Sequence, residues 1–248
     1  MRVQGICRAA AAGTVVALLG AIGTAAAQVP PLLEAGAAQE PVLSPAWRRM
    51  GLPDQKPPLT VYTADRVDGR AAVRIDADGS YGNLVHEPAG ELGLRTLQWR
   101  WRMDRPNPRA DLLTKAGDDV AARVCLSFDL PLDRVPFVER QLLRLARARS
   151  GQELPAATLC WVWDHALPVG TVVENAYSRR VRMIVARNAT HPTGAWLDET
   201  HDVAAAWRLA FGDEAELPPP IRAVIVAGDA DNTGQRTRAH VADLVGRP

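Results

Sequence analysis

The chain is poor in several residue types, and each shortage closes off a class of function. It has 3 cysteines in 248 residues, and they form no Cys-x-x-Cys pair and lie near no paired histidines, which argues against a zinc site. The five histidines, at 86, 165, 191, 201 and 240, are scattered without ligand spacing. Their scatter, together with the missing Gly-x-Ser-x-Gly elbow, leaves a hydrolase triad or zincin unsupported. His191 and His201 flank Trp196 and Glu199 and read as solvent-facing loop histidines. No phosphate-cradling Gly-x-x-x-x-Gly-Lys loop occurs. Net charge is only +1, so the molecule lacks the global field that draws a protein onto nucleic acid or an anionic membrane. No apolar run reaches the ~20 residues needed to span a bilayer, and no internal repeat is visible.

What is present begins with a tripartite leader. Arg2 and Arg8 precede an apolar run from about Ala9 to Ile22, followed by Ala25-Ala26-Ala27. A basic start, a short apolar middle and small residues before a cut site describe an export signal. Cleavage is expected after Ala27, placing the protein in the periplasm or outside the cell with no stable membrane insertion afterwards. Cys7 precedes the apolar run and cannot be a lipoprotein cysteine. Removing residues 1–27 takes away two arginines and no acid, leaving 27 basic side chains against 28 acidic ones, a net −1. Cys125 and Cys160 remain. An oxidising compartment permits them to pair, and a disulfide and two buried thiols are equally compatible with the sequence.

Residues 28–58 are rich in Pro, Ala and Gly and read as an arm, pinned by Trp47, before a globular domain over 59–248. From Leu59 onward period-2 alternation dominates. Asp68-Gly69 is a hairpin turn signal between Leu59–Tyr62 and Ala71–Ile75, and Asp78-Gly79-Ser80 is a second turn. Along Leu97–Met103, alternation sets Leu97, Trp99, Trp101 and Met103 on one face and Gln98, Arg100 and Arg102 on the other. Further strands are expected within 121–128, 158–163, 181–186, 222–227 and 239–245. A helix is expected from an Asp133 cap to Gly151, with Val138, Leu142 and Leu145 as its apolar stripe and Arg140, Arg144, Arg147 and Arg149 on a solvated face. A shorter helix runs from an Asp202 cap through Trp207 and Phe211 to Gly212. Many short strands with only two helices indicate a mainly β fold, a jelly-roll-like antiparallel β-sandwich with two peripheral helices. The Trp99/Trp101 face and the pair Trp161/Trp163 are expected in its core.

Three polar clusters sit at strand ends or on an exposed strand face: Lys115, Asp118 and Asp119; Asp229, Asp231, Asn232 and Thr233; and Arg100 with Arg102. Asp229 and Asp231 are two apart, so in extended chain their carboxylates point the same way. Carboxylates mixed with neutral oxygens suit Ca²⁺, though the spacing is not that of an EF-hand. The reading preferred is a turn in which Asp and Asn bond the backbone and Gly234 supplies a positive φ. The acids together with Lys115, Arg100 and Arg102 form either a fold-holding charge network or a site. No metal ligand set is assigned.

The stretches Leu97-Gln-Trp-Arg-Trp-Arg-Met-Asp104, Thr114-Lys-Ala-Gly-Asp-Asp119 with Ala121-Ala-Arg-Val124, Asn175-Ala-Tyr177 and Asp229-Ala-Asp-Asn-Thr-Gly234 occur in this order. Over about Leu59 to Val245 the chain resembles DUF3047, a family of exported bacterial proteins described as a domain of unknown function. The resemblance implies an exported β-sandwich and supplies no activity or catalytic residue. Cys125 and Cys160 stand where the family pattern has ordinary strand residues. The function expected is a non-catalytic module that binds a carbohydrate, a cell-envelope glycan or another small ligand. The competing readings are an enzyme on envelope polysaccharide, using Asp118, Asp119, Asp229 or Asp231 as acid or base, and a purely structural envelope protein.

Overall fold

The computed structural model describes residues 28–37 and 40–248; the expected export signal and its cleavage site lie outside the described residues. In chain order the elements are β1 (Leu33–Ala35), β2 (Pro41–Leu43), β3 (Arg48–Met50), β4 (Val61–Val67), β5 (Arg70–Asp78), β6 (Asn83–His86), β7 (Thr96–Arg105), β8 (Arg123–Phe128), α1 (Phe137–Ser150), β9 (Ala157–Trp163), β10 (Val172–Glu174), β11 (Val181–Arg187), β12 (Trp196–Asp202), α2 (Val203–Phe211), β13 (Ile221–Ala227) and β14 (Arg236–Arg247). A seven-stranded sheet has the order β10-β11-β9-β8-β13-β6-β3, a five-stranded sheet the order β12-β7-β14-β5-β4, and β1 and β2 form a ribbon. Pairing is antiparallel except between β9 and β11, which run parallel. The fold is a β-sandwich.

The clearest sequence patterns become its clearest features. Asp68 and Gly69 both take positive φ, 51° and 77°, so the β4–β5 hairpin closes through a primed turn that matches strand twist. Strand β7 buries Leu97, Trp99, Trp101 and Met103 and turns Arg100 and Arg102 outward. Across the sandwich Trp99 meets Trp161, and Trp101 meets Trp163, each with ring centroids 5.6 Å apart. His201 lies on β12, not in a loop, and stacks on Trp99 and Trp161 at 5.1 and 5.0 Å. Its Nε2 shares Glu199 with the Trp101 indole and Arg187, which explains why it is held inward.

Residues 28–58 hold three of the strands: β3 pairs with β6 at the edge of the seven-stranded sheet. Trp47 is buried, and its indole donates to the Pro31 carbonyl at 3.1 Å. Cys125 and Cys160 are directly opposite each other in the β8–β9 register and are joined by a disulfide. No helix among the described residues is long and apolar enough to cross a membrane.

The two helices differ from each other. In α2 the Asp202 carboxylate accepts from the Ala205 amide at 2.7 Å, a side-chain cap, and Trp207 and Phe211 are buried and stacked. Helix α1 departs from the pattern expected. It starts at Phe137 behind Pro136, with no side-chain cap, because a residue that precedes proline disfavours the helical region and Val135 holds that place. Its buried residue is Leu143, whereas Val138, Leu142 and Leu145 are exposed. Inward-facing bonds fix this rotation: Arg147 donates to the Leu154 carbonyl at 2.9 and 2.6 Å, and Glu139 lies 4.0 Å from buried Arg180.

Candidate functional site

The expected acids converge where β13 hands the chain from one sheet to the other. The crossing begins at Gly228, where an added Cβ would stand 2.6 Å from the Ala121 carbonyl oxygen and 2.8 Å from Ile75; only glycine allows that approach. The following residues are knitted to the ends of neighbouring strands. The Asp229 amide donates to the Val120 carbonyl at 2.9 Å, and the Val120 amide donates back to Asp229 Oδ1 at 2.6 Å. The Ala230 amide donates to the Ser80 carbonyl, and the Gly234 amide to that of Ala230, both at 2.9 Å. Gly234 has φ +64°, the positive φ expected of it.

Three loops meet here, carrying Lys115 to Asp119, Asn175 to Tyr177, and Asp229 to Thr233. Asp119 is sealed. Its carboxylate accepts from the Asn232 and Thr233 amides (3.1 and 2.7 Å), the Asn232 side-chain amide (3.2 Å), the Thr233 hydroxyl (2.5 Å) and Asn107 Nδ2 (3.4 Å). Asp229 is equally buried and pairs with Arg123 at 2.7 Å. Burial pushes its carboxyl up to about 7, against the pull of Arg123 and the Val120 amide, while Asp119 and Asp231 add to the push.

Beside these acids stand Asp118, Asp231 and Tyr177, of which Asp118 is buried, Asp231 half-buried and Tyr177 exposed. Asp118 accepts from Asn175 Nδ2 at 2.5 Å. Its carboxyl is raised above the ordinary range by burial, with Asp119 and Asp231 adding repulsion against the opposing pull of Asn175 and Arg123. Asp231 is raised by burial and by Asp119, and its Oδ1 has no hydrogen-bond partner among the described residues. Tyr177 is 59% exposed, and its hydroxyl donates to Asn232 Oδ1 at 2.7 Å and the Lys115 carbonyl at 3.1 Å. The Lys115 ammonium stands 5.3 Å from the Tyr177 ring centroid, a cation–π contact, and pairs with no carboxylate among the described residues.

Arg100 and Arg102 do not join this cluster. They project from the outer face of the five-stranded sheet, where Arg100 pairs with Asp198 and Asp243 and Arg102 with Asp68 (2.5 Å) and Asp104 (2.7 Å). Alternation placed them opposite the tryptophans, and that face carries its own carboxylates. Buried His240 belongs to the same outer-face ladder, between Asp104 (2.7 Å) and Asp65 (3.2 Å). The cation inside the acidic cluster is Arg123, absent from the residues expected. Its signal is a lone basic residue opening the apolar strand β8. Asn107, Asn175 and Tyr177 are further additions.

The oxygens of Asp119 and Asp229 are committed to N–H and O–H donors, and among the described residues no three His, Cys, Asp or Glu side chains form a ligand set. What remains at the surface is the exposed Tyr177 ring with the Lys115 ammonium and half-buried Asn175, Asp231 and Asn232, beside buried Asp118. A separate cavity of about 340 Å³ lies at Glu91–Arg95, Val203 and Pro218–Ile221, lined by none of these groups.

The molecule is thus a β-sandwich with an acidic cluster at a sheet crossover. It belongs to the DUF3047 family, described as a protein of unknown function, whose pattern matches residues 45–245. No curated protein matches the chain. Among solved structures, the xyloglucanase domain of NopAA, a type three effector from Sinorhizobium fredii in complex with cellobiose, is similar with a TM-score of 0.36 at 9% identity, covering 81% of this chain and 98% of that one.

Proposed function

We propose that the protein is an exported, non-catalytic module that binds a cell-envelope glycan across the Tyr177 face. The observation that carries this reading is the exposed Tyr177 ring beside Asp118, Asp231, Asn175 and Asn232. A sugar offers an apolar C–H face to a ring and hydroxyls to groups that both donate and accept. The open geometry suits a polymer laid across a surface, since no enclosing pocket is needed. Export is supported by the basic-apolar-Ala leader and by the Cys125–Cys160 disulfide, a bond that persists in oxidising compartments. The test is a glycan array and peptidoglycan pull-down with wild type and Tyr177→Ala. Binding that falls at least about tenfold in the variant, at unchanged melting temperature, is expected for loss of one aromatic platform. A blank array and an empty pull-down refute the reading.

The upward shift of the Asp118 and Asp231 carboxyls also favours a second reading, general-acid attack on polysaccharide. It requires release of reducing ends that Asp231→Asn abolishes with the fold intact.

A further inference from the structure

Helix α1 presents to solvent the side chains that an amphipathic helix ordinarily buries. Phe137, Val138, Leu142 and Leu145 are 67, 65, 56 and 47% exposed. A helix turns about 100° per residue, so these four share one sector, which also carries exposed Gln141 and, between Val138 and Leu142, Arg149, while Arg144 stands just outside its Phe137 margin. The helix cannot roll to hide them. Leu143 is buried on the opposite side, Arg147 is bonded to the Leu154 carbonyl, and Glu139 faces Arg180, which is itself bonded to buried Glu214 at 2.7 Å. Arg140 leans back toward the Leu132 carbonyl. Arg144 and Arg149 meet no carboxylate among the described residues, and the helix carries four arginines against one glutamate, turned inward.

We propose that α1 is a membrane-surface element that lies along an anionic lipid bilayer, with Phe137, Val138, Leu142 and Leu145 among the acyl chains and Arg144 and Arg149 at the headgroups. A mainly apolar sector with long basic side chains at and near its edges has the composition of helices that rest in the interfacial plane, and arginine stems reach sideways so that the charge stays with the phosphates. No described helix is long and apolar enough to span, so the contact is peripheral. A second copy of the chain is a poorer occupant, because face-to-face packing brings arginine rows together with no outward acid on the helix to answer them. The inference is independent of the glycan site.

The test is vesicle flotation of the full chain, comparing variants so that any contribution of residues 1–27 is common to all. Vesicles hold either phosphatidylcholine alone or phosphatidylcholine with about a third phosphatidylglycerol. Wild type should bind the anionic vesicles at least about tenfold more tightly, and weaken as salt is raised. Leu142→Ser/Leu145→Ser and Arg144→Gln/Arg149→Gln should each reduce that binding about tenfold or more. All four positions are exposed, so melting temperatures should hold; if the leucine pair melts early, the arginine pair decides alone. Absence of vesicle binding overturns the proposal, as does equal binding by wild type and the arginine variant. So does light scattering that finds a wild-type dimer converted to monomer by the leucine substitutions.

Discussion

Carboxylates of one cluster divide by what surrounds each oxygen. Asp119 receives five hydrogen bonds from three side chains and two backbone amides, so it acts as a clasp between the loops that carry Asp118 and Asn232. Asp119→Ala should cost about 3 kcal/mol, since each orphaned buried donor costs about 1–3 kcal/mol, and denaturant unfolding would measure it. Asp231→Asn should hold stability or raise it slightly, because its buried Oδ1 has no partner to lose and the substitution removes the repulsion from Asp119. Asp229 adds a pH signature. Its folded carboxyl, near 7, lies above the ordinary value of 3.8, so the folded state holds a proton that the unfolded state releases. Its contribution to stability is complete below about pH 4 and is lost as pH rises through about 7. Melting temperature followed across that window should fall with rising pH in wild type, and Asp229→Asn should flatten the slope. Sequence alone grouped these acids because Asp229 and Asp231 are two apart and strand ends gather polar residues. It did not separate the three buried acids from half-buried Asp231, since that depends on which distant amides point inward.

Elements were legible in proportion to how local their cause is. Strand β7 alternates cleanly because every second side chain meets the opposing sheet, and the β4–β5 turn is fixed by Asp68-Gly69. The parallel pairing of β9 with β11 was not legible, because alternation does not tell which neighbour a strand takes or in which sense. Helix α1 was periodic, and its period was read correctly; the side that faces the core was not. The leucines at 142 and 145 resemble a core stripe in sequence, but Leu143 and the Arg147 and Glu139 contacts decide the rotation. Leu143→Ala should therefore cost about 2–3 kcal/mol, while Leu142→Ser should cost under about 0.5 kcal/mol, a contrast that thermal melts of the two variants would reveal.

At the scale of the whole molecule, two sheets over a tryptophan core create the rigid edge from which the three loops project. The disulfide joins β8 and β9 inside the seven-stranded sheet, across a sequence separation of 35. Closing a loop of that length should contribute about 2–4 kcal/mol, chiefly by restricting the unfolded chain, and Cys125→Ala/Cys160→Ala should lower the unfolding midpoint accordingly. The glycan reading depends on that scaffold presenting Tyr177, Asn175 and Asp231, while buried Asp118, Asp119 and Asp229 hold them in place. Hydrogen exchange of the chain with and without an envelope oligosaccharide tests this most directly. Slowed exchange confined to residues 115–119, 175–178 and 229–234 is the predicted result. Protection elsewhere, for instance along Glu91–Arg95 and Pro218–Ile221, or none with any envelope saccharide, would contradict it.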